Sequence, residues 1–95
     1  MLTRTLTIVN KRGLHARAAA KFASTSALFK AGIKTRVCSS CDTHPTWVDG
    51  KSVMSLMLLA ASQGTAIEIQ ADGEDAEHAL EALSKLIEQC FDEGE

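Results

Sequence analysis

His15 stands directly after Gly13-Leu14 and directly before an alanine-rich run, with Arg17 two residues further on. If that run is a helix, its first backbone N–H groups lack internal partners and carry the positive end of the helix dipole. Such an end attracts anions. Arg17 adds a permanent cation whose forked donors suit phosphate. A neutral imidazole is a competent nucleophile near neutral pH, because its unperturbed pKa is about 6.5. Together these groups describe a nucleophile with a phosphate cradle, able to accept a phosphoryl group and pass it on. The same residues also fit a capping histidine beside a solvated arginine, and the spacing alone leaves both readings open.

Other side chains invite chemistry less strongly. Ser52 precedes an apolar run, as a helix N-cap does. A phosphate there would meet the positive end of the helix. Met54 and Met57 lie in that run, and a methionine stripe at helical spacing reads as core. Cys38, Cys41 and His44 supply three ligands where a zinc site normally has four, and Cys90 has no spacing relation to them. Redox C-x-x-C thiolates are normally activated at a helix start, whereas this pair leaves a strand for a loop. Loop cysteines in a reducing compartment are the expectation, with no metal and no cofactor. Cys90 falls on an apolar helical stripe and is expected in the core, while His78 is expected in solvent.

The elements that must position these groups follow from periodicity. Leu2 to Val9 alternates, with Leu2, Leu6 and Ile8 against Thr3, Thr5 and Thr7, and with Arg4 as the exception. That is a half-buried strand. Asn10 to Gly13 is a turn cluster. His15 to Leu28 has helical spacing, and Gly32 reads as its C-terminal glycine. Ile33 to Cys38 is a second strand, Ser39 to Pro45 a loop, Thr46 to Val48 a third strand, and Asp49-Gly50 a turn. Val53 to Ala61 is a second helix, ended by Gly64. Thr65 to Ala71 alternates as a fourth strand with Ile67, Ile69 and Ala71 on one side. A last helix opens at Glu74 or Asp75, with Ala76, Leu80, Leu83, Ile87, Cys90 and Phe91 as its apolar stripe. The order β-α-β-β-α-β-α predicts an α+β open-faced sandwich with its helices on one side.

Composition bounds the rest. Ninety-five residues, 45% of them hydrophobic, are expected to form one domain over 1–95. Aromatics are only 4%, so aliphatic residues must build the core. Ten basic and twelve acidic residues leave a net charge of -2, unlike a nucleic-acid binder held by bulk charge. The greasiest segment, Val53 to Ala61, falls far short of the ~20 residues that span a bilayer. No signal-peptide pattern is present, and a cytoplasmic protein without membrane insertion is expected. A deep two-substrate cleft is more than such a chain encloses, which favours a carrier, binding module or regulator.

Gly13-Leu14-His15-Ala16-Arg17-Ala18-Ala19 resembles the signature of the histidine-containing phosphocarrier (HPr) family of the phosphoenolpyruvate-dependent phosphotransferase system, including its nitrogen-branch relatives. Gly50-Lys51-Ser52-Val53-Met54 is similar to the family's second signature, and Gln63-Gly64-Thr65 with Asp72-Gly73-Glu74-Asp75 resembles its last third. The resemblance implies a four-stranded antiparallel sheet with three helices on one face. It implies that enzyme I, charged by phosphoenolpyruvate, phosphorylates His15 at Nδ1, that Arg17 stabilises the phosphate, and that an enzyme IIA-type acceptor receives it. It implies partner docking at Ala16, Ala20, Val53, Met54 and Met57, with Leu56, Leu59 and Ala60 toward the core. Ser52 resembles the family's regulatory serine, the target of a dedicated HPr kinase in some bacteria. The chain departs from the family in two places. Ala18 replaces the proline of the first helical turn, and about six extra residues lengthen the Cys38–Pro45 loop beyond the usual short connection. A regulatory module of the same fold, working without histidine phosphotransfer, is the alternative.

Overall fold

The computed structural model describes residues 1–37, 47–59 and 61–92. Among these, four strands run as β1 (Leu2–Thr7), β2 (Gly32–Val37), β3 (Val48–Asp49) and β4 (Ala66–Asp72). They alternate with three helices, α1 (Ala16–Ala27), α2 (Val53–Leu58) and α3 (Ala76–Glu88), in the expected order. The strands pair antiparallel as β1-β4-β2-β3. The result is the expected α+β open-faced sandwich. A short 3-10 turn over Cys90–Asp92, which the sequence pattern did not suggest, follows α3.

Period-two alternation sets the two faces of the sheet. Ile67, Ile69 and Ala71 of β4 are buried, and the register places Ile33 opposite Ala71 and Thr35 opposite Ile69. The helices cover this face: α3 packs on β1 and β4, and α1 packs on α2 and α3. Small residues permit the close approach of α1, whose buried side is Ala18, Ala19, Phe22, Ala23 and Ser26. The other face of the sheet is polar. There Glu68 sits between Thr5 and Arg36, and Arg36 Nε donates to Glu68 Oε1 at 2.9 Å. The Arg36 guanidinium also lies 4.2 Å from the centre of the Trp47 ring, a cation–π contact.

Several expectations need correction. β1 is an edge strand and is more exposed than a half-buried pattern implies, although Ile8, just beyond it, is fully buried. Arg4, out of place in the alternation, lies on the helix-covered side and donates from Nη1 to Ser84 Oγ of α3 at 2.9 Å. Gly32 does not cap α1. The helix ends at Ala27 with Leu28 still in the right-handed region, and Gly32 is the first residue of β2, opposite Asp72. The exit from α1 is held instead by Asp75, whose two carboxylate oxygens accept the Lys30 and Ala31 amides, each at 2.8 Å. The Lys30 amide in particular holds the Asp75 carboxyl below its ordinary pKa, helped by the Ala31 amide and the Lys51 charge. β3 begins later than expected, at Val48. Cys90 is only half-buried and adopts φ 55°, while the adjacent Phe91 takes the fully buried position. Cys38, Cys41 and His44, expected as loop residues without a metal, lie outside the described residues.

Candidate functional site

The segment that delivers His15 is laced to its neighbour after α2. Beyond β1, Ile8 N–H donates to Thr65 O at 2.9 Å and Gly64 N–H donates to Ile8 O at 2.8 Å. Gln63 Nε2 reaches Val9 O at 3.1 Å. Asn10 then starts a tight turn: its carbonyl accepts Gly13 N–H at 3.2 Å, and its side-chain Nδ2 donates to Gly13 O at 2.9 Å. Gly13 has φ +67°, and a Cβ there would lie 2.4 Å from Ala61 O and 2.7 Å from Ser62 Cα. Only glycine fits that conformation in that space. Leu14 N–H donates to the same Ala61 oxygen at 2.8 Å, and the Leu14 side chain joins the core.

His15 is the N-cap of α1, in extended backbone conformation. Its Nδ1 accepts the Arg17 backbone N–H at 3.3 Å. An imidazole thus does what Ser, Thr, Asp or Asn usually does, satisfying one orphan amide of the first turn. The bond has a chemical consequence. A ring nitrogen that accepts an N–H carries no proton, so the neutral ring holds its proton on Nε2 and presents the Nδ1 lone pair to the helix start. His15 is half-buried. A phosphoryl group on Nδ1 would take over the Arg17 amide as a donor and lie at the positive end of the dipole.

The Arg17 side chain is exposed, and it borders an open groove with Ala20, Lys21, Ser24, Thr25 and Leu86. Lys21, one turn on, donates from Nζ to Phe91 O at 2.7 Å, which ties α1 to the 3-10 turn after α3. Ala16 and Ala20 are exposed on α1, and Ala18, where the resemblance has proline, is fully buried. Alanine keeps the helix start without proline's preset φ.

α2 packs beside α1. Ser52 is its N-cap, with Oγ accepting Ser55 N–H at 3.2 Å. Met54 is 79% exposed and Met57 46%, so these methionines are not core. Leu56 is fully buried and Leu59 partly so, as expected, while Ala60 lies outside the described residues. Val53 is half-buried against the core, which reduces its share of any outward face. Leu58, 81% exposed, extends the apolar surface and was missed in the sequence. Its place one position after Met57 carried no separate signal. The full burial of Asn10, which the sequence showed only as part of a turn cluster, was also missed.

A family model described as "PTS HPr component phosphorylation site" matches residues 2–89. The chain belongs to the HPr family. It is a phosphocarrier protein of the phosphotransferase system, and a module of this fold without phosphotransfer is not favoured. The HPr of Neisseria meningitidis is 44% identical over 95 residues, covering 100% of both chains. The HPr of Xylella fastidiosa is 46% identical over 93 residues, covering 98% of each. Among solved structures, HPr-C-His of Thermoanaerobacter tengcongensis has a TM-score of 0.85 at 40% identity, covering 98% of each chain. Among the described residues no helix is long and apolar enough to cross a membrane, and no group of three or more His, Cys, Asp or Glu is placed to hold a metal.

Proposed function

We propose that His15 is the residue that carries the phosphoryl group, through Nδ1. The observation that carries this reading is the Nδ1 lone pair held at the head of α1 by the Arg17 amide. In the transfer, Nδ1 attacks the phosphorus of phosphorylated enzyme I. The new N–P bond forms as the donor's bond to phosphorus breaks, its electron pair staying with the donor. The Arg17 amide swings from the ring nitrogen to a phosphoryl oxygen, and the Arg17 guanidinium offsets the added charge. The reverse attack by an enzyme IIA-type acceptor then discharges His15.

The chain is not an enzyme in its own right: partners bring the remaining catalytic groups to the half-buried His15. Ala16 and Ala20 of α1, with Met54, Met57 and the edge of Val53 on α2, form the docking surface. Ser52 is a regulatory site for an HPr kinase where one is present, since phosphorylation would occupy the hydroxyl that now caps α2. Residues 1–95 act as one domain in the cytoplasm, without cofactor, nucleic acid or membrane insertion. Incubation with phosphoenolpyruvate and enzyme I, read by mass spectrometry under mildly alkaline conditions, tests the site. The wild-type chain gains one phosphoryl group and His15→Ala gains none. Normal phosphorylation of folded His15→Ala would overturn the assignment. Running the assay with the sugar-branch and nitrogen-branch enzyme I separately identifies the physiological donor by rate.

A further inference from the structure

We propose that Asn10 is a positioning residue for phosphoryl transfer, acting through the peptide plane that aims His15. The proposal rests on His15 being the phosphoryl acceptor. Asn10 is fully buried, five positions before the histidine and outside every helix and strand. Burying an amide side chain is costly unless it is hydrogen-bonded, so a buried asparagine in a surface turn calls for a reason. Its bond supplies one. Asn10 Nδ2 donates to the Gly13 carbonyl at 2.9 Å, and Leu14 N–H donates to Ala61 O at 2.8 Å. Those two groups, Gly13 C=O and Leu14 N–H, are the two ends of one peptide unit. That unit is therefore held from both sides, by Asn10 on one and the post-α2 segment on the other.

Gly13 could not do this alone. At φ +67° glycine is the most permissive residue in the segment, and without the bond to its carbonyl the plane is held at its Leu14 end alone. The Gly13 amide is also tied back to the Asn10 carbonyl at 3.2 Å, which closes the turn over Lys11 and Arg12. Asn10 thereby bonds both main-chain groups of Gly13. The next rigid group is Leu14, anchored in the core, and then His15, already committed to capping α1. Fixing the Gly13–Leu14 plane fixes the direction from which the imidazole leaves the chain, and with it the 3.3 Å approach of Nδ1 to the Arg17 amide. The donor must be an amide. An aspartate of the same shape offers only acceptor oxygens when ionised and would face the Gly13 carbonyl with like polarity.

The test compares Asn10→Ala and Asn10→Asp with the wild type. Thr35→Val serves as a control that loses a different buried bond, Thr35 Oγ1 to Glu68 O in the sheet. Single-turnover transfer from phosphorylated enzyme I is measured over a range of donor concentrations. Both Asn10 variants should lose about tenfold or more in the saturating rate, as misplacement of a reacting group does, with less change in the half-saturating concentration. Thr35→Val should keep the wild-type rate while folded. Two signatures accompany the loss: faster hydrogen exchange at the Leu14 amide, and ¹⁵N shifts of the His15 ring that report mixed tautomers in place of the Nε2-protonated form. Wild-type saturating rates in either Asn10 variant, or a slowing no greater than in Thr35→Val, would overturn the proposal. Should neither variant fold, rapid exchange of the Leu14 amide in the wild-type chain overturns it. Wild-type label mapped to a residue other than His15 defeats the site assignment instead, and is read in the same experiment.

Discussion

Gly13 and Gly64 both have left-handed φ, +67° and +88°, but differ in the space around the missing Cβ. That difference gives a measurable prediction. At Gly64 nothing lies within 4 Å, so Gly64→Ala incurs only the left-handed strain of about 1–2 kcal/mol. Stiffening of the unfolded chain offsets about 0.4–1 kcal/mol of this. The net loss is about 1 kcal/mol or less, near 4–8 °C in Tm for a domain of this size. Gly13→Ala carries the same strain, but its Cβ would lie 2.4 Å from Ala61 O and 2.7 Å from Ser62 Cα. Both are backbone atoms and cannot rotate away. The segment must separate, with overpacking strain of about 1–3 kcal/mol. The Leu14 N–H to Ala61 O bond is then lost or stretched, for about another 1 kcal/mol. The total is about 2–6 kcal/mol, a Tm loss of about 10 °C or more. Thermal and urea unfolding of the two variants, followed by circular dichroism, reads the contrast directly. In conditions where both remain folded, Gly13→Ala should also slow phosphoryl transfer and Gly64→Ala should not. Equal destabilisation of the two variants would refute the claim that close backbone approach, and not φ alone, requires glycine before His15.

Other consequences are open to similar tests. Asp75 has its folded pKa depressed by the Lys30 and Ala31 amides, so its contribution is present above the unfolded carboxylate range and lost as pH falls through the folded pKa. The stability gap between wild type and Asp75→Asn should therefore be full near neutral pH and shrink in acid; a gap independent of pH in urea titrations contradicts this. A double-mutant cycle of Arg4→Ala and Ser84→Ala should return a coupling of about 0.5–1.5 kcal/mol from the Nη1–Oγ bond, and a coupling of zero would show that bond to be inert. Met54→Asp, at a 79% exposed position, should change stability by no more than about 0.5 kcal/mol while weakening enzyme I binding in calorimetry. A large Tm loss with unchanged binding would return Met54 to a structural role.

Features with local causes were legible in the sequence. Alternation in β4 and helical spacing in α3 reflect periodicities of a single element, and the buried Ile67, Ile69, Leu80 and Leu83 follow from them. Ser52 was recognisable as a cap because its partner, the Ser55 amide, lies three residues away. The place of His15 at the head of a helix was legible for the same reason: its partner, the Arg17 amide, lies within one helix turn. What escaped was set by contacts across the chain. Arg4 broke its pattern because Ser84, 80 residues later, supplies an acceptor. Gly32 resembled a cap because a glycine after a helix usually is one, whereas here Asp75 holds the amides that follow α1 from 44 and 45 residues away. Asn10 looked like any turn residue, since nothing in its neighbours announces that it is buried. Cys90 followed the apolar stripe of α3 by spacing, yet the helix stops at Glu88 and the chain turns Phe91 inward instead.

Phosphoryl transfer turns on one atom in this reading, Nδ1 of His15 at the head of α1. After transfer from enzyme I and phosphoenolpyruvate, ¹⁵N and ³¹P NMR of the labelled chain distinguishes attachment at Nδ1 from attachment at Nε2. The expected result is a single phosphohistidine at His15 with phosphorus bonded to Nδ1, and an Arg17 amide resonance that shifts as its acceptor changes from ring nitrogen to phosphoryl oxygen. Phosphorus on Nε2 of His15, or on His78, would contradict it.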